Sequence, residues 1–479
     1  MRNVNLLLLS LFFVFNGCFL DAQNVVTTEY LGQRTKAVLT SQFGAFIQNG
    51  VKLYKITYTT PDIHGQLDTA SGLFVVPQRE QTISYPTLVY EHGTVDGPQD
   101  VPSNQQGGYE LALFFSGLGY ATIAPDYLGA GEARGFHPYI HAASEASASV
   151  DMLRAVHAHA PEMDIYLNDQ LFITGYSQGG HASMALHRYI ETEATNEFTV
   201  TAAAHMSGPY SVSEVMLDLI LSDEAYGTVA YLPNVVLSFN EVYGLYNNLE
   251  EIFKPQYVED IQAFRDGTIG LFTLNGILLN QLITEYGASV TKHLLQDSII
   301  AILEDPSNNH PLHLALRDND VYEWAPQQPT RMFYCMADDQ VNYRNAIIAD
   351  SVMQTLNAVD VAISDVNSGA DHGGCVGPAT FNTLLFFAGF ADWVVDTKDG
   401  LQDLDVAIFP NPAQQYIYIN GLKNTTQVHL FSITGEQILS KNLSVNDNEL
   451  SLQNIPNGVY FLTLNNNKGQ LIRKIVVER

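Results

Sequence analysis

Cysteine is almost missing from this chain: its 479 residues contain three, Cys18, Cys335 and Cys375. That scarcity excludes a thiolate metal cluster. Cations are scarce too, with 22 lysines and arginines against 51 acidic residues and a formal charge of -29. Such a surface repels phosphate backbones and anionic membranes, so neither nucleic acid nor a charged lipid surface is expected as a partner. The charge speaks to solubility, not to a reaction. Long apolar runs are confined to the start of the chain. There Arg2 precedes Leu6 to Phe15, and Asp21-Ala22-Gln23 follows, the layout of a secretory signal peptide over residues 1–22. The run is short for a bilayer anchor, and no later stretch is apolar and long enough for a transmembrane segment in the mature chain. Cys18 invites comparison with a lipid-modified cysteine, but Phe15 three residues earlier is a poor match. With the signal removed, Cys335 and Cys375 remain. Export permits them to pair, and the alternative is two buried apolar thiols.

What is present is a core's worth of apolar residues, 46% of the chain, in a length that fits one large domain and a smaller one. After a mixed segment over 24–48, Val51 to Tyr58 alternates apolar and polar as a half-exposed strand does. Ser71 to Pro77, Thr87 to Tyr90 and Tyr120 to Ala124 read as further strands, the last two running into polar loops. Glu145 to Ala158 has helical spacing. A strand, a helix and the strand Val200 to Ala204 follow, so strand and helix alternate. That pattern predicts an α/β domain with a mostly parallel sheet flanked by helices. Residues 210–325 break the rhythm with helices such as the one around Val215-Met216-Leu217-Asp218-Leu219-Ile220, expected as a cap insertion over the carboxyl ends of the sheet. The alternative is extra helices on the scaffold's flank. Strands resume at Arg331 to Met336 and Val359 to Ile363, and Thr383 to Val395 reads as a closing helix. The catalytic region is therefore expected over 23–395 and a linker over 396–406. A small β-sandwich is expected over 407–479, with turns at Thr434-Gly435 and Asn457-Gly458.

The chemistry is announced at Gly175-Tyr176-Ser177-Gln178-Gly179. Leu171 to Thr174 before it reads as a strand, and His181 to Leu186 after it as a helix. A serine on a sharp strand-to-helix turn points its hydroxyl away from its own backbone, and the flanking glycines let the two elements approach. The bland reading is a glycine-rich turn of an ordinary α/β domain. A serine hydroxyl needs a base. His372, in the loop Gly369 to Gly374 after the last strand, is the candidate. Asp338, just beyond the strand ending at Met336, is the acid that would orient it. Asp339 is the immediate rival, and Asp371 is read as a loop-structuring residue. The chain order Ser, Asp, His suits this architecture. His92-Gly93-Thr94 follows an early strand, so the backbone N–H groups of Thr94 and Gln178 are the candidate oxyanion hole, with His92 structural. If Asp338 and His372 meet, Cys335 and Cys375 approach each other, which makes a disulfide between them an expectation.

These segments resemble the α/β-hydrolase superfamily in its secreted lipase and carboxylesterase-like branch. The likeness rests on Tyr90 to Thr94, Ala124 to Gly129, Gly175 to His181, Asp338 to Val341 and Asp371-His372, within residues 50–395. The family's G-x-x-D-x-x-V pattern matches Cys335 to Val341, with Cys335 in place of the glycine, and that register selects Asp338. The tail resembles the C-terminal sorting domain of the type IX secretion system in Bacteroidota. Phe409-Pro410-Asn411-Pro412, Leu430 to Gly435, Ile455 to Tyr460 and Lys474 to Val477 carry that resemblance. The first resemblance implies a serine carboxylic-ester hydrolase acting on a small or lipid-like ester, with no cofactor or metal required. The second implies a secreted or surface-attached protein whose tail engages the type IX machinery. A serine peptidase on the same fold is the enzymatic alternative. A non-enzymatic surface adhesin is the third reading, and a carbohydrate-binding module is the alternative for the tail.

Overall fold

A computed structural model describes residues 25–79, 84–305, 307, 309–391, 406–432, 437–466 and 469–479. The expected signal over 1–22, residues 396–405 of the expected linker and the turn at Thr434-Gly435 lie outside the described residues.

The mixed N-terminal segment resolves into strand β1 (Val25–Arg34) and helix α1 (Lys36–Phe43). Strands β2 (Gly50–Pro61), β3 (Leu67–Gln78), β4 (Ser84–Glu91), β5 (Ala121–Pro125), β6 (Tyr166–Tyr176), β7 (Val200–Met206), β8 (Thr330–Tyr334) and β9 (Val361–Asp365) complete one nine-stranded sheet. Its order is β1-β2-β3-β5-β4-β6-β7-β8-β9. β1, β2, β3 and β5 pair antiparallel in sequence, while β5, β4, β6, β7, β8 and β9 run parallel. Helices α2 (Tyr109–Leu118), α3 (Ala142–His159) and α4 (Gln178–Thr192) make the crossovers between β4 and β7.

The period of two decides what each face buries. Leu88, Phe172 and Ala204 face one apolar cluster, and their neighbours Val89, Ile173 and Ala203 face the other. Both faces are covered, which is why these strands read as nearly continuous apolar runs. β4 is flanked by β5 on one side and β6 on the other, so the chain reverses its direction of travel across the sheet there. The carboxyl ends of the strands at such a reversal are the preferred ligand position in open sheets.

Between β7 and β8 lie α5 (Leu217–Leu221), α6 (Tyr231–Tyr243), α7 (Pro255–Arg265), α8 (Leu271–Tyr286), α9 (Asp297–Leu303) and α10 (Pro311–Asp318). Leu271, Leu274, Leu278 and Leu282 form the buried face of α8. They belong to an apolar cluster of the insertion's own, with Phe253, Tyr257 and Leu294. α11 (Arg344–Thr355) connects β8 to β9, and α12 (His372–Ala388) follows β9. α12 begins well before the expected closing helix at Thr383. Gly373, Gly374, Gly377 and Pro378 hide its first turns from a propensity reading. Packing overrides them: Cys375, Phe381, Leu384 and Phe387 are all buried.

Among the described residues the tail is a separate domain of antiparallel sheets, one of three strands and one of four. They enclose their own cluster, including Ile417, Leu430, Leu450 and Leu462. Phe431 and Phe461 reach the main domain, where their rings lie 4.4 Å from Phe46 and 5.4 Å from Phe381.

Candidate active site

Ser177 stands between β6 and α4 with φ 62° and ψ -123°. A side-chain-bearing residue there costs roughly 1–3 kcal/mol and persists only when its surroundings hold it. The Ser177 N–H donates to Met206 O at 3.0 Å, and the Gly180 N–H donates to Ser177 O at 2.8 Å. Two glycines make the turn sterically feasible. A Cβ on Gly175 would lie 2.1 Å from Gly179 O, and one on Gly179 would lie 2.0 Å from Glu91 O.

The acid and the imidazole arrive from the far side of the sheet. His372 Nδ1 lies 2.9 and 2.8 Å from Asp338 Oδ1 and Oδ2. Asp338 Oδ1 also accepts from the Gln340 and Val341 N–H groups at 3.0 and 2.8 Å, which aims the carboxylate. Asp339 does something else: its Oδ1 accepts the His372 backbone N–H at 3.1 Å. Asp371 caps α12, accepting from the Gly374 N–H at 2.7 Å. His372 is thus the first residue of a capped helix, not part of an irregular loop. The Tyr176 hydroxyl donates to His372 O at 2.5 Å, and the two rings lie 5.0 Å apart. The residue preceding Ser177 therefore secures the imidazole beside the elbow. Among the described residues no hydrogen bond joins Ser177 to His372. Such contacts are often long without substrate and tighten in the complex. A disulfide joins Cys335 to Cys375, with Cα atoms 5.9 Å apart, and ties the end of β8 to the first turn of α12.

The loop after β4 passes directly against the elbow: a Cβ on Gly93 would sit 3.7 Å from Ser177 Cβ. Neither the Thr94 nor the Gln178 backbone N–H has a protein acceptor among the described residues. Thr94 Oγ1 is 2.9 Å from the Tyr139 hydroxyl. His92 is buried under this loop, with Nδ1 2.7 Å from Gly93 O and its ring 4.3 Å from that of Tyr127. Desolvation holds its imidazole below the ordinary value. Glu91 is fully buried, and among the described residues neither carboxyl oxygen has a hydrogen-bond partner in good geometry. Burial pushes this carboxyl up to about 8, a rise only tempered by the nearby Ser149 and Tyr127 hydroxyls.

Ser177 and Gln178 open onto a cavity of about 110 Å³. Its walls are apolar side chains brought mainly by the insertion, among them Val212, Ile220, Leu232, Val235, Phe239 and Leu316. Two tyrosines couple these walls to the acid loop. Tyr226 donates to Gln340 O at 2.8 Å and Tyr231 to Gln340 Oε1 at 2.9 Å.

Sequence patterns alone give no role to Tyr176, Glu145, His137 or His181, all of which surround the elbow. Tyr176, next to Ser177, and His181, in the first turns of α4, lie close to it in the chain. The others reach the site from distant elements.

Sheet order, elbow and helical insertion define an α/β-hydrolase-fold protein. Its structure is similar to the rice cell wall degrading esterase LipA from Xanthomonas oryzae, with a TM-score of 0.66 and 28% identity. That match covers 76% of this chain and 95% of LipA. A Legionella pneumophila protein shares the fold at a TM-score of 0.70 and 24% identity, over 78% of this chain and 100% of its own. Candida antarctica lipase A in its closed state shares it at 0.56 and 15%, over 78% and 84%. Residues 407–478 match the secretion system C-terminal sorting domain. That domain marks the chain for secretion or surface attachment through the type IX system. No helix among the described residues is long and apolar enough to cross a membrane. No curated protein sequence matches this chain.

Proposed function

We propose that this protein is a secreted serine hydrolase of carboxylic esters with apolar acyl groups. The observation that carries the reading is the pairing of His372 Nδ1 with Asp338 at 2.8 Å, beside an elbow serine that opens onto an apolar cavity. Ser177 Oγ attacks the ester carbonyl while His372 Nε2 takes its proton. Asp338 keeps the proton on Nδ1 and stabilises the imidazolium. The Thr94 and Gln178 amides receive the tetrahedral oxyanion. The alcohol leaves with the proton from His372 and the acyl group stays on Ser177. Water then attacks that acyl-enzyme, His372 takes its proton, and release of the acid returns a proton to Ser177. Ester cleavage is favoured over peptide cleavage because the cavity walls offer few groups to a peptide backbone. LipA, the similar structure, is an esterase.

The test is hydrolysis of a chromogenic short-chain ester, with fluorophosphonate labelling located by peptide mass. Ser177→Ala is expected to remove about ten-thousandfold or more of kcat and all of the label. Label on another residue, or unchanged turnover in the variant, overturns the assignment.

A further inference from the structure

We propose that Glu145 is a positioning residue for the oxyanion site, acting through the side chain of Gln178; this rests on the ester-hydrolase reading above. Glu145 lies in the first turn of α3 and is 1% exposed, as is Gln178, while His181 is 0% exposed. Groups buried so deeply give their hydrogens to the protein acceptors they face.

The placement follows from the acceptors. His181 Nε2 faces Asn319 O at 2.8 Å, an acceptor only, so this nitrogen carries hydrogen. His181 Nδ1 faces Glu145 Oε2 at 2.7 Å. A bare Nδ1 against a bare carboxylate would oppose two lone pairs. The contact therefore holds one proton, whichever partner owns it. On the other side, His137 Nδ1 faces Leu128 O at 2.8 Å and carries hydrogen, which leaves Nε2 as an acceptor. The Gln178 amide nitrogen lies 2.8 Å from that Nε2 and 3.1 Å from Glu145 Oε1. Both of its hydrogens are used. Gln178 is the first residue of α4, and its side chain is clamped between two neighbouring elements while its backbone N–H stays free for the oxyanion. Without Glu145, buried donors on Gln178 and His181 lose their acceptor and the clamp opens on one side.

The experiment uses the full chain and a chromogenic ester, with rates expressed per site titrated by fluorophosphonate so that misfolded protein does not count. Glu145→Ala is expected to lower kcat by about tenfold or more with KM changed by less than about twofold. Glu145→Gln can accept from Gln178 and donate to His181, and is expected to regain at least about a third of the lost kcat. Gln178→Leu should lose a similar amount, and the Glu145→Ala, Gln178→Leu double variant should fall no further than the worse single one. A kcat for Glu145→Ala within about twofold of the parent, or losses that multiply in the double variant, overturns the proposal while leaving the hydrolase reading intact. A parent protein that neither hydrolyses ester nor labels at Ser177 overturns the hydrolase reading and this one with it.

Discussion

The sheet and the helical insertion meet at one cavity, but they contribute to it in opposite ways. The sheet delivers polar groups whose positions are over-determined. Ser177 is held by Met206 O, Asp338 by two backbone N–H groups, and His372 by Asp338, Asp339 and Tyr176 together. The insertion delivers apolar wall from a cluster of its own, and reaches the polar loops through Tyr226 and Tyr231 on Gln340. Precision on one side and bulk on the other imply that damage to the sheet's end should cost turnover, whereas change in the insertion should alter choice of substrate.

The sharpest test of the sheet's side is the pair of adjacent carboxylates. Asp338→Asn should lower kcat by about ten-thousandfold, because the wrong tautomer of His372 becomes available. Asp339→Asn, which touches only the His372 backbone, should cost far less. Steady-state rates of both variants decide it, and the reverse ranking would refute the division of labour.

Next in size is the covalent tie. Replacing Cys335 and Cys375 together with alanine removes a bond between residues 40 apart in sequence. The chain-entropy argument puts that at about 4 kcal/mol, read as a lower thermal midpoint. A midpoint equal to the parent's would show that packing alone holds α12 against β8.

Glu91 tests whether the sheet's end is costly as well as precise. Its carboxyl sits at about 8 in the fold against 4.5 ordinarily. Across that window the unfolded chain loses its proton while the folded chain keeps it. The contribution of Glu91 to stability therefore falls as pH rises from about 4.5 towards 8. Glu91→Gln should flatten this slope and raise the unfolding free energy from urea titration at pH 8 more than at pH 5, by roughly 1–3 kcal/mol at the upper end. Parallel pH profiles for the two proteins would reject it.

The smallest effect belongs to the insertion. Val235→Phe fills part of the cavity and should lower kcat/KM for octanoyl relative to acetyl esters by about tenfold, with the acetyl rate nearly kept. Equal losses on both esters would mean that the insertion supports catalysis rather than selecting the acyl group.

Much of this molecule is legible in its sequence. Val51 to Tyr58, Thr87 to Tyr90 and Val200 to Ala204 declare their strands by period and apolar content. The elbow declares itself because Gly175 and Gly179 leave no room for a side chain. Those signals are local: a strand's alternation and a turn's steric demand are properties of a few consecutive residues. The start of α12 is not legible, since Gly373, Gly374 and Pro378 argue against a helix that is held by the Asp371 cap, the Cys375 bridge and buried aromatic residues.

Local signals along the chain therefore suffice for the class of fold, the sorting tail and the small set of residues from which a site is drawn. Only packing puts Asp338, the carboxylate that the family register favours, against the imidazole and gives Asp339 the backbone of His372. It also decided that Glu145 and His137, from segments remote from Ser177 in the chain, close on Gln178. Asp338 and Asp339 differ by one position along the chain. Their side chains leave the backbone in different directions, and direction exists only once β8 and α12 are packed together.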